Sequence, residues 1–256
     1  MGEPRQRLNR ERVLLAAVAL ADAEGVDAVS MRRLAAELGV VPMALYKHVT
    51  DKDELLDGMV DVVLAGVAGE LAERGGDDAG ARREDGIRTR SGVAWRDPVR
   101  GRILATRRVQ LRHPWLRRVL ETRTTRTPVV LAYTDALIGS FRAAGFSDPL
   151  THHVMHALGS RIWGFTQDLF EDADQPAPDP ASVELLAQHF PNVAAVAGVA
   201  VHDDGTVVAQ GCDDQFEFEF ALDLLLDGIA RLHEQGWLPP ARDGGVSAAG
   251  PAGRAR

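Results

Sequence analysis

Residues 29–49 read VSMRRLAAELGVVPMALYKHV, and this stretch decides the fold. Ser30 is a favourable N-cap, and apolar residues follow it at helical spacing. Gly39 stands where a helix commonly ends in a left-handed residue. Pro42 suits the first turn of a new helix, because its missing N–H needs no partner there. The stretch therefore predicts two short helices joined by a turn that contains glycine.

The second of these helices has few residues to bury. Ala44 or Leu45, together with Val49, would face inward. The side chains that then point away from the domain are Met43, Tyr46, Lys47 and His48. A helical pair of this kind is typical of the helix-turn-helix, whose second helix enters the major groove of DNA. A small helical hairpin with a merely solvated polar face is the alternative interpretation.

The flanking segments add further helix signals. Asn9–Gly25 forms one amphipathic pattern that ends at a glycine. Asp51 is an N-cap, and Glu54 completes a capping-box pattern three residues later. The next helix, from about Lys52 to Glu73, has a broad apolar stripe, so we expect it to contact a second domain as well.

Residues 9–64 resemble the DNA-binding domain of the tetracycline-repressor (TetR) family in the segments LNRERVLLAAVALADAEG, SMRRLAAELGV and ALYKHVTDKDELLD. Later segments resemble the second domain of the same family: WRDPVRGRILATRRVQLRHPWL, DALIGSFRAAGF, GSRIWGF and FEFALDLLLDGI. The resemblance implies an all-α fold, with an N-terminal three-helix helix-turn-helix domain and a helical C-terminal dimerisation and ligand-binding domain. It also implies a homodimer, in which helices at about 149–170 and 214–235 pair across a two-fold axis as a four-helix bundle.

The composition is that of an ordinary globular protein, with 45 % apolar and 26 % charged residues among 256. No apolar run approaches the roughly 20 residues of a membrane span, and the charged start MGEPRQRLNRER lacks the apolar core of a secretory signal. Cys212 is the single cysteine, which excludes an intramolecular disulfide and agrees with a reducing compartment. We therefore expect a cytoplasmic protein with no membrane partner.

The formal net charge of −8 is unusual for a protein that binds DNA. The position of the positive charge matters more than the total, however. Basic residues crowd the N-terminus and the helix-turn-helix, whereas acidic residues concentrate at 171–175 and 212–219. The acidic total therefore does not exclude DNA binding.

DNA sequence is read at base edges, whereas phosphate contacts position the protein. Lys47 has the reach to contact guanine, and an apolar neighbour can touch a thymine methyl. We assign the base-facing side to Pro42, Met43, Ala44, Lys47 and His48, and phosphate contacts to Ser30, Arg32, Tyr46 and Lys52.

The chain is predicted to divide at residues 74–92, a charged, glycine-rich segment interpreted as a flexible linker. It separates residues 1–73, the DNA-binding domain with the connecting fourth helix, from a helical domain over 93–237. Residues 238–256 are predicted to be a disordered tail. The periodicity of the second domain predicts helices at about 95–112, 128–144, 149–170, 181–190 and 214–235, with a break at residues 113–116. Residues 199–211 fit a hairpin or a loop, and the loop is preferred.

A candidate ligand site in the second domain is lined by Arg108, Tyr133, Trp163, Gln167 and Asp168. Aromatic stripes of this kind are also typical of a core. His152 and His156 lie one turn apart beside His153, but no third ligand accompanies them, so we predict no metal and no cofactor. Tetracycline-binding members of the family that this chain resembles hold a magnesium complex with a histidine in the loop before the helix at 128–144. The corresponding position here is Glu121 or one of its neighbours, which argues against tetracycline–magnesium as the ligand.

A broad apolar face on the last long helix is the predicted dimer interface, formed by Leu222, Leu225, Leu226 and Ile229. A core within the single chain would give the same pattern.

These features predict a homodimeric DNA-binding transcriptional regulator, a repressor that a small molecule releases from a palindromic operator. We predict no enzyme, since the sequence has no nucleophile–base pair, paired carboxylates or phosphate-binding glycine loop. The ligand would act by shifting the fourth helix, taken as the only rigid link between the domains. Two alternatives stay open: a helical carrier or enzyme whose N-terminal unit does not bind DNA, and a DNA-binding dimer with no ligand response.

Overall fold

The computed structural model describes residues 7–81, 94–124, 126–164, 180–197 and 214–240. Over these ranges the regular structure is helical, which confirms the all-α prediction. The helices are α1 Arg10–Glu24, α2 Met31–Leu38, α3 Pro42–Leu45, α4 Lys52–Ala81, α5 Arg96–Arg112, α6 Trp115–Thr122, α7 Pro128–Ala143, α8 Asp148–Trp163, α9 Pro180–His189, α10 Pro191–Ala197 and α11 Asp214–Glu234. Within the same ranges, no helix has both the length and the apolar character needed to cross a membrane.

Side-chain caps fix the first two helices where the sequence predicts them. Asn9 accepts the backbone N–H of Arg12 at 2.8 Å, and the Ser30 hydroxyl accepts that of Arg33 at 3.2 Å. Gly39 ends α2 at φ 65°, a left-handed conformation that a residue with a Cβ adopts only at a cost. The predicted helix-turn-helix is therefore present in the structure.

The start of α4 departs slightly from a capping box. Asp51 accepts the N–H of Glu54 at 2.8 Å, as an N-cap should. The Glu54 carboxylate, however, accepts the N–H of Thr50 at 2.7 Å rather than that of Asp51, and it also accepts the Thr50 hydroxyl. These hydrogen bonds lower the pKa of Glu54 and fix the turn that follows α3.

The fourth helix is longer than predicted. It continues to Ala81, so the prediction that a flexible linker begins at residue 74 is wrong for its first eight residues. Gly75 and Gly76 each weaken a helix by about 1 kcal/mol relative to alanine, but they neither lack an N–H nor clash, as a proline would. Residues 82–92 of the predicted linker lie outside the described ranges.

Helix α6 was not predicted, because Pro114 was interpreted only as a break. The proline stands at the N-cap, where its missing N–H needs no partner, and a helix begins directly after it. Trp115, Leu116 and Val119 then turn one buried face inward. A proline that ends one helix has thus also begun the next.

The later helices differ from prediction at their ends. Helix α8 ends at Trp163, where Gly164 takes extended backbone, and residues 165–170 of the predicted helix lie outside the described ranges. A Cβ at Gly164 would lie 2.0 Å from the Ser160 carbonyl oxygen, so only glycine fits this exit. One predicted helix at 181–190 is followed by a second, α10, that was missed. The hairpin-or-loop segment 199–211 and tail residues 241–256 lie outside the described ranges.

Two apolar cores hold the helices. The first joins α1–α4 to the end of α5 and to α6, and the second joins the start of α5 to α7, α8 and α11. The first core includes Ala105, Val109 and Leu116, so it crosses the predicted domain boundary. The boundary itself stays a prediction, but the two parts of the chain share buried surface.

An ion cluster joins α4 to α5 beside the first core. Glu70 accepts Arg108 Nε at 3.0 Å and also binds Arg112, and its side chain is only 14 % exposed. Hydrogen bonds from the two arginines lower the pKa of the Glu70 carboxyl below its ordinary value of 4.5. The cluster should therefore make stability depend on pH in the acidic range.

Glu70→Gln should reduce the loss of stability on acidification. A carboxyl whose folded pKa is lowered stabilises the native state above its unfolded pKa of about 4.5, and this contribution disappears as the pH falls through the folded pKa. The urea midpoint of the wild type should therefore fall more steeply than that of the variant below about pH 4.5. Glu121→Gln, in an exposed pair with Arg117 on one helix, serves as the control and should keep the wild-type slope. Equal slopes for the Glu70 variant and the wild type would contradict this account.

Candidate nucleic-acid interface and ligand cleft

The outward face of α3 is apolar and basic together. Val41, Met43 and Tyr46 are 68 %, 70 % and 46 % exposed, and Lys47 is exposed beside them. Leu45 and Val49 are buried on the opposite side, as predicted. Large apolar side chains held in water beside a lysine commonly mark a contact surface. We call Val41, Met43, Tyr46 and Lys47 the reading face.

All nine predicted DNA-binding residues are exposed or half-buried. Ala44 and His48 are half-buried, and the other seven are exposed: Ser30, Arg32, Pro42, Met43, Tyr46, Lys47 and Lys52. Their contacts with DNA stay a prediction. Sequence reasoning missed Val41, although the doubled valine before Pro42 offered a signal: Val40 is half-buried and Val41 points outward.

The neighbouring arginines of α2 have different surroundings. Arg33 binds Glu24 at 2.6 Å and Glu37 at 2.9 Å, and these bonds raise its pKa above the ordinary value. Arg32 has no ion-pair partner within the described part of the chain and is exposed. Arg32 is thus the arginine of this pair that is available to a phosphate.

Helix α6 is a second rigid link between the two parts of the chain, so the prediction that α4 is the only one is wrong. The Asp22 carboxylate of α1 accepts the Trp115 indole N–H at 2.6 Å and lies 2.8 Å from Nδ1 of His113. Arg118 of α6 also binds Asp27 at 2.7 Å. The patterns of the separate helices could not show this link, because its polar partners stand about 90 residues apart.

A cleft of about 690 Å³ lies between α7 and α8. Its apolar and aromatic lining includes Tyr133, Leu137, Ile138, Met155, Ile162 and Trp163. The structure thus brings together Tyr133 and Trp163 from the predicted ligand site. Arg108 does not line this cleft and lies in the ion cluster with Glu70. Gln167 and Asp168 lie outside the described ranges.

The Tyr133 hydroxyl is fixed at one edge of this cleft. It lies 2.8 Å from the hydroxyl of Thr106, whose proton is directed to the Arg102 carbonyl oxygen at 2.9 Å. Tyr133 is therefore the donor in its bond with Thr106. Burial raises the pKa of Tyr133, so the phenol is uncharged at neutral pH.

The histidines of α8 lie at the rim of the cleft. The ring centroids of His152 and His156 are 4.7 Å apart, and His153 lies edge-on to both His152, at 5.2 Å, and Trp237, at 5.4 Å. In the described ranges, no group of three or more histidine, cysteine or acidic side chains is placed to hold a metal ion. The pair therefore offers hydrogen-bonding imidazoles to whatever enters the cleft.

The predicted dimer interface on α11 is wrong for three of its four residues. Leu222, Leu226 and Ile229 are 0 %, 0 % and 5 % exposed in the single chain, where α5, α7 and α8 complete their core. Leu225 is half-buried. The opposite side of the helix instead exposes Phe216, Phe220 and Leu224 at 62 %, 55 % and 57 %. Helix α11 is apolar on two faces, and periodicity could not show which face the chain itself covers.

Two family models match the chain. One, described as the tetracyclin repressor-like C-terminal domain, matches residues 90–232, and the other, bacterial regulatory proteins of the tetR family, matches residues 13–59. The chain belongs to the TetR family. It is accordingly a helix-turn-helix transcriptional regulator that binds DNA.

Several similar proteins match nearly the whole of this chain. The HTH-type transcriptional repressor DrrR1 of Streptomyces coeruleorubidus is 29 % identical over 238 residues, covering 91 % of this chain and 81 % of its own. A possible TetR family regulator from Streptomyces coelicolor superposes with a TM-score of 0.61 at 26 % identity, covering 88 % of this chain and 100 % of its own. The ActR protein of Streptomyces coelicolor in complex with actinorhodin gives 0.59 at 26 % identity, covering 88 % and 98 %.

Lys47→Ala and Lys52→Ala should have different effects on DNA binding. If Lys47 contacts a base, its loss changes sequence preference, whereas loss of a phosphate contact at Lys52 weakens all duplexes alike and lowers the salt slope by about one unit. Binding profiles across a half-site library at several salt concentrations measure both effects. Arg142→Ala, which removes an exposed arginine at the far end of α7, is the control and should change neither. Equal, sequence-blind losses from both lysine variants would contradict the assignment.

Proposed function

We propose that this protein is a homodimeric repressor, acting in the cytoplasm, that leaves an inverted-repeat operator when a small molecule enters the cleft between α7 and α8. One observation carries the proposal. Tyr133 and Trp163 line the cleft, and both also pack against the first core, which includes Leu45 of α3. A molecule that displaces either ring therefore disturbs the core that positions the reading face.

The names of similar proteins support the two halves of this proposal. DrrR1 is named a repressor, and ActR has been crystallised with actinorhodin. For the present chain, the physical requirement is that ligand and operator favour different conformations, since a ligand with equal affinity for both shifts nothing. Recognition helices of a dimer must fit successive major grooves about 34–36 Å apart, so a small rotation of the first domain is enough to lower affinity.

Helices α4 and α6 would carry the movement from the cleft to the reading face. Arg123, directly after α6, binds Asp53 at 3.0 Å and Asp57 at 3.4 Å, both in the first turns of α4. Thr127, directly before α7, donates its hydroxyl to Asp61 of α4. A shift of α7 would thus be transmitted directly to the N-terminal end of α4, which follows α3.

The operator experiment separates this proposal from its alternatives. Selection from a random duplex library should enrich an inverted repeat with half-sites one helical turn apart, and binding should weaken steeply with salt. A carrier or enzyme would enrich no sequence and would show no salt-dependent DNA binding. A dimer without ligand response would bind the same repeat, but no cleft ligand would release it.

The dimer is proposed to use the exposed face of α11. Phe216, Phe220 and Leu224 follow at intervals of four residues, and the two phenylalanine rings stack with centroids 6.4 Å apart. Arg100 of α5 holds the other side of this helix through Glu219 at 2.6 Å and Asp223 at 2.8 Å. These ion pairs and the core beneath them lie on other faces of α11, and Phe220 and Leu224 stay exposed at 55 % and 57 %.

The double variant Phe220→Glu/Leu224→Glu should be a folded monomer that no longer binds the inverted repeat. A two-fold interface buries the same patch of both chains, so the added charges of one chain face like charges of the other, and burying one unpaired charge costs several kcal/mol. Light scattering and circular dichroism measure mass and fold together. Leu15→Glu, which adds a charge at a side chain 49 % exposed on α1, is the matched control and should remain dimeric. A folded dimer from the double variant would place the interface elsewhere.

A further inference from the structure

The cleft between α7 and α8 has unmatched polar groups at its two ends. Helices α7 and α8 run antiparallel, so Arg126, Tyr133 and Trp163 gather at one end and Arg142, Asp148 and Thr151 at the other. Tyr133 and Arg142 are nine residues apart on α7, about 14 Å along its axis. Leu137, Ile138 and Met155 lie between the ends. The cleft is therefore elongated, apolar in the middle and polar at both ends.

The two arginines of the cleft differ in their partners. Arg142 binds Asp148 at 3.1 Å, so its charge is balanced locally. Arg126 is exposed and makes no ion pair with any residue in the described ranges. Asp53 and Asp57 of α4 bind Arg123, and Asp61 accepts the Thr127 hydroxyl, so none of the three is paired with Arg126. The end of the cleft beside Trp163 thus presents an arginine without an ion-pair partner in the described ranges next to aromatic rings.

At the other end, a buried hydroxyl lacks a partner. Thr151 is 4 % exposed, and no acceptor or donor in the described ranges bonds its Oγ1. Threonines on helices commonly donate to the carbonyl four residues earlier, as Thr106 and Thr134 do here, but Thr151 does not. A buried hydroxyl without a partner costs free energy unless a ligand or water completes it. Thr151 lines the cleft, so rotation of its side chain about χ1 would bring this covered hydroxyl to an acceptor inside the cleft.

From these features we infer that the ligand is an elongated aromatic acid. Its anionic group lies at Arg126, its ring stacks on Trp163, and an oxygen acceptor at its far end receives the Thr151 hydroxyl. The exposed imidazoles of His152 and His156 offer further N–H donors at that end. This inference rests on the proposed ligand-responsive function and specifies the chemistry of the same site.

The acid end is tested with two probes that share an aromatic skeleton, the anion anilinonaphthalene sulfonate and the uncharged phenylnaphthylamine. Fluorescence titration of the DNA-free protein should give about tenfold tighter binding of the anion, as for a charge-assisted hydrogen bond. Arg126→Met should remove this preference, whereas Arg142→Met, the matched control in the same cleft, should keep it. Trp163→Leu should weaken both probes alike. Equal affinity for the two probes, or equal effects of the two arginine variants, would overturn the acid assignment.

The acceptor end is tested with azobenzene carboxylate and its analogue that carries an acetyl group on the far ring. The acetyl oxygen should tighten binding to the wild type by about fivefold, a typical gain for one hydrogen bond. Thr151→Val keeps the shape of the side chain and should abolish that gain without changing the affinity for the unacetylated probe. A gain that persists in Thr151→Val would overturn the acceptor assignment. Release of the selected operator is measured separately, so a probe that binds as expected but releases no DNA counts against the proposed function alone.

Discussion

The burial of α6 against α1 and α4 is the contact on which the rest of the structure depends. Trp115 is 6 % exposed, and an indole can be buried at little cost only if its N–H finds an acceptor. Asp22 provides that acceptor at 2.6 Å, and it holds His113 with the same oxygen. This hydrogen bond joins the N-terminal helices to the second part of the chain. Together with the Arg118–Asp27 and Arg123–Asp53 pairs, it holds the angle between α3 and the cleft.

Helix α11 has two apolar faces, one covered by the chain itself and one exposed. Its inner face, with Leu222 and Leu226 fully buried, completes the second core, and α5 clamps it through arginine–carboxylate pairs. Its outer face carries exposed phenylalanines, whose exposure is unfavourable for a monomer. Because the inner face is already occupied, association of two chains need not disturb the fold of either. This separation explains why a charge on the outer face is expected to affect assembly rather than folding.

Local signals predicted the first part of the chain well, since each acts within a few residues. The Ser30 and Asp51 caps, the Gly39 terminator and the inward positions of Leu45 and Val49 all agree with the structure. The second part depends on partners far apart in sequence, which periodicity does not reveal. Periodicity could not pair Arg108 with Glu70 or connect α6 to Asp22. It also could not show which of the two apolar faces of α11 is buried within the chain. The unsatisfied hydroxyl of Thr151 can likewise be recognised only once its surroundings are known.

The position of the aromatic residues indicates which ligand contacts can drive release. Converting a mostly bound regulator to a mostly released one requires roughly 10⁴-fold tighter ligand binding to the released form. Under the proposed mechanism, contacts at Arg142 and Asp148 should differ little between the two forms, because both residues flank the short turn between α7 and α8. Contacts at Tyr133 and Trp163 should differ, since these rings touch the first core as well as the cleft. A ligand that fills only the far end of the cleft should therefore bind without releasing DNA, whereas one that reaches Trp163 couples binding to release.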